Sequence, residues 1–172
     1  MLPDQEFEML VDRHYGALYR FALSLTRHET DARDLTQQTF LVWARKGHQL
    51  RDRSKARTWL FTTLHRAFIE SRRRAERFAE SELDEGSWEV PFLDPEQARQ
   101  VDAQALLEAL EGVDPVFRGA VTLFYLEELS YLEIAEVLNV PLGTVKSRIA
   151  RGVSQLQALV ADGTTRKPIR TP

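Results

Sequence analysis

The stretch LSYLEIAEVLNVPLGTVKSRIARG, residues 129–152, decides the fold of the second half of the chain. Ser130 and Glu133 have the spacing of a capping box, in which the serine and the glutamate reciprocally satisfy backbone N–H groups at a helix start. The helix so capped is short, about Tyr131 to Leu138, with Ile134, Ala135 and Leu138 inward. Asn139, Val140 and Pro141 make a turn. A long helix then runs from about Leu142 to Val160 with Val145, Ile149, Val153 and Leu156 facing in. Short capped helix, three-residue turn and longer helix is the outline of a helix-turn-helix, whose second helix lies in a DNA major groove. If Val145 and Ile149 are buried, Thr144, Ser147, Arg148 and Arg151 form the opposite ridge at i, i+3, i+4 and i+7, with Lys146 on its flank. Arginine and lysine engage guanine edges or phosphates, and hydroxyls reach either. The N-terminus of such a helix also attracts phosphate through its N–H groups. The bland account of the same residues is a basic solvent face on an ordinary helical bundle.

Upstream of that stretch the pattern is also helical, with no sustained strand alternation, so the sequence predicts an all-α fold. A first helix starts after Asp4 and carries an apolar stripe of Phe7, Leu10, Val11, His14, Tyr15, Leu18, Ala22 and Leu25. His14 reads as a packed or capping histidine. A second helix runs from about Asp31 to Lys46, with Ala32, Leu35, Thr39, Val42 and Trp43 inside and Gly47 as its stop. Residues 48–55 read as a polar loop. A third helix follows Ser54 as N-cap, turns Trp59, Leu60, Thr63, Ala67 and Phe68 inward and ends in Arg72, Arg73 and Arg74. Asp114 and Pro115 open another helix, as an N-cap followed by proline at the first helical position. That helix buries Phe117, Ala120, Val121, Phe124 and Tyr125. Two small helical domains therefore occupy residues 1–75 and 99–160. They are joined by a flexible acidic linker at 76–98, which contains Phe78, Trp88, Phe92 and Leu93, and followed by a short disordered tail at 161–172.

The chain has 172 residues, no cysteine and a formal net charge of −3. Without thiols there is no disulfide framework or thiolate metal centre, and a reducing, cytoplasmic compartment is the expectation. No apolar run approaches the roughly 18 residues needed to span a bilayer, and the first residues lack the basic flank and apolar stretch of a signal peptide. The near-neutral total conceals strong segregation. Residues 1–75 hold 14 Lys and Arg against 9 Asp and Glu, residues 76–96 hold 1 against 8, and residues 139–172 hold 6 against 1. Two parts with basic character thus flank an acidic middle.

The quoted stretch resembles the C-terminal domain of an extracytoplasmic-function (ECF) sigma factor, the small group within the sigma-70-type family. The segments DARDLTQQTFLVWARK, residues 31–46, and RTWLFTTLHRAFIESRRR, residues 57–74, resemble that group's N-terminal domain. The resemblance implies a protein that binds core RNA polymerase and directs transcription from promoters with −10 and −35 elements. It implies that the helix over 31–46 docks on the clamp coiled coil of the largest polymerase subunit, through Asp31, Asp34, Gln37, Gln38 and Phe40, with the C-terminal domain near the flap. The loop and helix after it would bind and melt the −10 element through Arg51, Arg53, Lys55, Arg57, His65, Arg66, Arg72 and Arg73. A loop of cations holds phosphates, while an extruded base needs stacking and edge contacts. Trp59 invites a stacking role, but its place in the inward stripe favours packing. The −35 element would be read by Thr144, Lys146, Ser147, Arg148 and Arg151. An anti-sigma factor is an expected partner.

The sequence departs from the family pattern at two places. Relatives usually read DAEDLTQETF in the polymerase-binding helix, so Arg33 and Gln38 stand where carboxylates are common. Phosphorylation of Thr36 or Thr39 by a Ser/Thr kinase would restore about −1.5 to −2 of charge. Arg66 stands where relatives often have asparagine, which bears on base preference at −10. Three other readings compete with this one, and the first, a polymerase-sequestering adaptor, leaves the ridge of Thr144, Ser147, Arg148 and Arg151 unexplained. An autonomous helix-turn-helix regulator would leave residues 31–74 without a task. A helical enzyme lacks a motif, because His14, His28, His48 and His65 have no metal-ligand spacing and neither a phosphate loop nor a nucleophile elbow occurs. No catalytic residue, metal or cofactor is expected.

Overall fold

Helix α1 (Pro3–Thr26), in a computed structural model that describes residues 3–77 and 103–161, ends where Arg27 turns left-handed at φ 62°. The Arg27 N–H closes the last turn onto the Leu23 carbonyl, and the Thr26 hydroxyl donates to Ala22. Helix α2 (Glu29–Lys46) follows, then a 3₁₀ turn at Gly47–Gln49, another at Arg53–Lys55, and helix α3 (Ala56–Glu76). The two compact units of the chain divide between Asp84 and Glu85. The linker residues 78–98 and the tail residues 162–172 lie outside the described residues, as do the aromatic linker side chains.

The three helices of the first unit close on Leu18, Phe21 and Ala22 of α1, Ala32 and Leu35 of α2, and Leu60, Phe61 and Leu64 of α3, all buried. Phe21 meets Phe61 edge to face at 5.5 Å, a pairing worth about 0.5–1.5 kcal/mol beyond the area it buries. Phe61 and Leu64 replace Trp59, Thr63, Ala67 and Phe68 as the inner contacts of α3, and the latter four are only half-buried. On α1, Tyr15 is exposed along one edge and stacks on Tyr19 and Phe40.

Two local expectations are corrected here. Ser54 is not the cap of α3; Asp52 accepts from both its N–H and its hydroxyl, fixing the 3₁₀ turn, and Lys55 precedes the helix. Gly47 ends α2 in a right-handed conformation, so no left-handed stop needs it. Its role is steric: a Cβ there would lie 2.6 Å from the Trp43 ring.

In the second unit, α4 (Ala103–Leu110), α5 (Pro115–Tyr125), α6 (Tyr131–Leu138) and α7 (Leu142–Ala161) surround Leu110, Val113, Val121, Leu123, Ile134, Val137 and Val145. Phe117 and Ala120 are buried as expected, but Phe124 and Tyr125 are half-covered and Leu123 takes the inner place. Arg118 is buried to 3% exposure. Its Nε donates to the carbonyls of Leu110 and Val113 and its Nη2 to Glu111, so a cation closes the C-terminal end of α4, where the helix dipole favours positive charge. Asp114 is the residue before α5, with Pro115 at its first position, yet its side chain makes no capping bond.

The capping box forms as the sequence predicts. The Glu133 N–H donates to the Ser130 hydroxyl, and the Glu133 carboxylate accepts the Ser130 N–H at 2.7 Å. Asn139 closes α6 in the left-handed region, φ 53° and ψ 51°, which a short polar side chain tolerates. Its turn redirects the chain through Pro141 into α7, and Gly152 lets α7 approach α5. A Cβ on Gly152 would lie 2.5 Å from Val121 Cγ2 and 3.2 Å from Phe117 Cβ.

Candidate nucleic-acid interface

Three surfaces collect the residues singled out by sequence. On α7, Lys146 is exposed and Thr144, Ser147, Arg148 and Arg151 are half-buried beside the buried Val145, Ile149 and Val153. The Ser147 hydroxyl donates back to the Thr144 carbonyl. Arg151 lays its guanidinium over the Phe117 ring at 5.8 Å, so one arginine of the ridge is partly a packing residue. Sequence reasoning missed Gly143. A Cβ there would meet nothing within 4 Å, and its φ is not positive, so neither packing nor backbone conformation requires glycine. The first turn of α7 is therefore uncovered at Gly143. A glycine beside the helix start is visible in the sequence; that it is unopposed is not.

The second surface is the loop between α2 and α3. Arg51, Arg53 and Lys55 are exposed, and Arg57 is half-buried with its guanidinium over Phe61 at 5.7 Å. Arg53 lies over the Trp43 ring at 5.6 Å and reaches Glu6 Oε1 at 3.7 Å. The hydroxyl and N–H of Ser54 hold the Asp52 carboxyl below its usual range, so the loop's one carboxylate is committed to the turn. Trp59 is half-buried and packs edge-on against Trp43 at 5.1 Å, which makes it part of the support under the loop. Along α3, Arg66 and Arg73 share an exposed face, and His65 stacks on Phe21 at 6.3 Å. Arg72 is bonded to Glu76 at 2.8 Å and covers Phe68.

The third surface is the outer face of α2. Asp31, Asp34, Gln37 and Gln38 are exposed, and Arg33 pairs with Glu29 at 3.6 Å. Phe40 corrects the expectation: it is buried beneath Tyr15 and offers no docking face in the folded unit. Leu41, which sequence reasoning passed over, is 53% exposed on the same side as Asp34 and Gln38. Its angular position opposite Ala32, Leu35 and Thr39 was the signal available. The phosphorylation sites are corrected as well. Thr36 and Thr39 are both 0% exposed, in the middle of the buried stripe, and their hydroxyls donate to the carbonyls of Ala32 and Leu35. A kinase reaches neither without unfolding the helix, and a buried phosphate would carry its charge into the core.

Among the described residues no group of His, Asp and Glu is arranged to hold a metal, and no helix is long and apolar enough to cross a membrane. Residues 10–78 match the family description "Sigma-70 region 2" and residues 103–156 match "Sigma-70, region 4", the two ends of the chain in the order the resemblance requires. The ECF sigma factor SigM of Bacillus subtilis is 32% identical over 166 residues, covering 95% of this chain and 98% of that one.

The chain belongs to the ECF sigma factors. It is similar as well to the ECF sigma factor SigE of Mycolicibacterium smegmatis, 36% identical over 90% of this chain, which spans 62% of that relative's length. Two solved structures share the fold. The sigma factor RpoE of Bartonella quintana, in complex with the anti-sigma factor NepR, gives a TM-score of 0.69 at 27% identity and covers 91% of this chain and 98% of its own. CnrH, in complex with the cytosolic domain of CnrY, gives 0.62 at 25% identity over 92% and 90%. As an ECF sigma factor, the chain directs RNA polymerase to promoters. Sigma factors act as binding subunits and are not enzymes, and the rival autonomous regulator is disfavoured because residues 10–78 match Sigma-70 region 2.

Proposed function

We propose a division of promoter work among the three surfaces. The outer face of α2 docks core RNA polymerase through Asp31, Asp34, Gln37 and Gln38, with Leu41 as its apolar anchor. The loop of Arg51, Arg53 and Lys55, with Arg57 behind it and Arg66 and Arg73 on α3, holds the opened −10 strand. The first half of α7 enters the −35 major groove, where Lys146, Ser147 and Arg148 meet base edges and phosphates and Gly143 admits close backbone approach. Arg151 and Thr144 complete that surface from its edges, and His65 and Arg72 support the −10 face by packing and charge.

The observation that carries this reading is the support beneath the cationic loop. Trp43, packed against Trp59 and close to Gly47, carries the Arg53 guanidinium on its ring, and the Asp52 turn fixes the loop from which Arg51 and Lys55 stand exposed. Preset cations lower the ordering cost of binding a strand. The complexes of RpoE with NepR and of CnrH with the CnrY cytosolic domain support an anti-sigma partner for this chain. A cysteine-free chain working on polymerase fits a reducing cytoplasm, and any redox signal then enters through a partner.

Transcription in vitro with core polymerase on a genomic promoter library tests the assignment. Initiation at promoters sharing −10 and −35 elements is the expected result, and Arg53→Ala and Lys146→Ala lose it while still co-eluting with core. Unchanged initiation by both variants overturns it.

A further inference from the structure

An ion pair that nothing in the sequence pattern signals joins the first turn of α1 to the cationic loop. Glu6 Oε1 lies 3.7 Å from Arg53 Nη2, with both side chains more than half exposed. The same guanidinium rests on the Trp43 ring, which is buried and fixed by Trp59 and by contact with Gly47. Arg53 is therefore held between an aromatic face and a carboxylate. Arg51 and Lys55 are its near neighbours in the loop, and the one loop carboxylate, Asp52, is taken up by the N–H and hydroxyl of Ser54. The Glu6 carboxylate offers the guanidinium the acceptor chemistry that a phosphate offers.

We propose that Glu6 is a built-in competitor for promoter phosphate on Arg53, a residue that both positions the guanidinium and has to be displaced when the −10 strand is captured. The inference rests on the reading of the 51–57 loop as the −10 surface. Exposed ion pairs of this kind are weak, whereas a strand gains by releasing counterions along several phosphates at once. A single phosphate on a stray anion meets an occupied arginine, and a strand that also engages Arg51, Lys55 and the α3 face displaces the carboxylate. Glu6 thus biases the loop towards ligands with multiple contacts.

The test is open-complex formation by holoenzyme carrying wild-type chain, Glu6→Gln, Arg53→Gln or both, read by a fluorescent base in the −10 element at low and raised salt. Glu6→Gln is expected to tighten open-complex binding about two- to fivefold at low salt, the range an exposed pair allows, with the gain shrinking as salt rises. In the Arg53→Gln background, where binding is weaker, adding Glu6→Gln gains nothing. Glu8→Gln removes a charge from the same helical turn and is expected to leave binding unchanged. If Arg53→Gln weakens binding but Glu6→Gln does not tighten it, or Glu8→Gln tightens it equally, the competitor role is overturned while the −10 reading stands. If Arg53→Gln has no effect, the −10 reading of the loop falls and the competitor role with it.

Discussion

Gln155 grips Asp114 at two points across 41 residues of sequence: its Oε1 accepts the Asp114 backbone N–H at 2.8 Å and its Nε2 donates to the Asp114 carboxylate at 2.9 Å. The residue that sequence reading made the cap of α5 spends its side chain on α7 instead. The start of α5 and the second half of α7 are thereby tied together. Gln155→Ala is expected to destabilise the second unit by about 1–2 kcal/mol and to lower promoter affinity without altering core binding. Hydrogen exchange checks the mechanism, because the Asp114 amide then exchanges faster while the Ile134 amide, inside the capped helix, is unchanged at matched global stability.

Thr36 and Thr39 provide a second prediction. Thr36→Glu places a carboxylate at a position with 0% exposure, and the first unit should lose more than about 3 kcal/mol. Thr36→Val keeps the shape and removes only a back-bonding hydroxyl, so its cost stays within about 1.5 kcal/mol. Thermal unfolding of the two variants separates them. Incubation of the folded chain with Ser/Thr kinases should leave both positions unmodified by mass spectrometry.

The glycines divide into two kinds. Gly152→Ala drives a methyl into Val121 and Phe117, and Gly47→Ala drives one into the Trp43 ring; each should cost about 1–3 kcal/mol, as overpacking does. Gly143→Ala meets no atom and should be neutral or stabilising by up to about 1 kcal/mol. On the proposed −35 reading it should nevertheless weaken promoter binding several-fold, since the methyl would stand on the face assigned to DNA. Urea denaturation and promoter binding, measured on the same samples, show whether stability and function move in opposite directions.

His14 makes the first unit sensitive to acid. Burial, with Arg13 and Arg57 nearby, lowers its folded pKa below the ordinary 6.5. The unfolded chain therefore binds the proton more readily, and stability rises with pH across the interval between the two values. As pH falls through about 6.5 the unit weakens, until His14 protonates in the folded state as well and the loss levels off. His14→Gln should flatten that segment of the stability profile, followed by chemical denaturation between pH 7.5 and 5 (about the range in which histidine titrates).

How much of this was legible depends on how local each cause is. Helix α6 was readable to the residue because the Ser130–Glu133 box and the left-handed Asn139 are set by adjacent side chains. The inner face of α3 was read out of phase. Its half-polar surface offers two apolar stripes, and only the docking of Phe21 against Phe61 chooses between them. Thr39 was read as inward and yet, with Thr36, as open to a kinase, although one helical stripe buries both. Arg118 was invisible as a buried group, since the carbonyls of Leu110, Glu111 and Val113 that hold it are brought to it by the turn between α4 and α5. At the proposed interfaces the residue types were legible, and the supports were not. Nothing in the spacing of Trp43 and Glu6 announces that both meet Arg53, or in that of Gly47 and Trp59 that both lie against Trp43.

The central claim is that this chain reads promoters as a polymerase subunit through the first half of α7. Run-off transcription with core polymerase, comparing wild type with Lys146→Ala combined with Arg148→Ala, tests it most directly when core binding is measured alongside. The account predicts that the double variant co-elutes with core as wild type does and loses at least about tenfold in promoter-specific transcript, the discrimination that one or two base contacts supply. Undiminished transcription from the same start sites would contradict it.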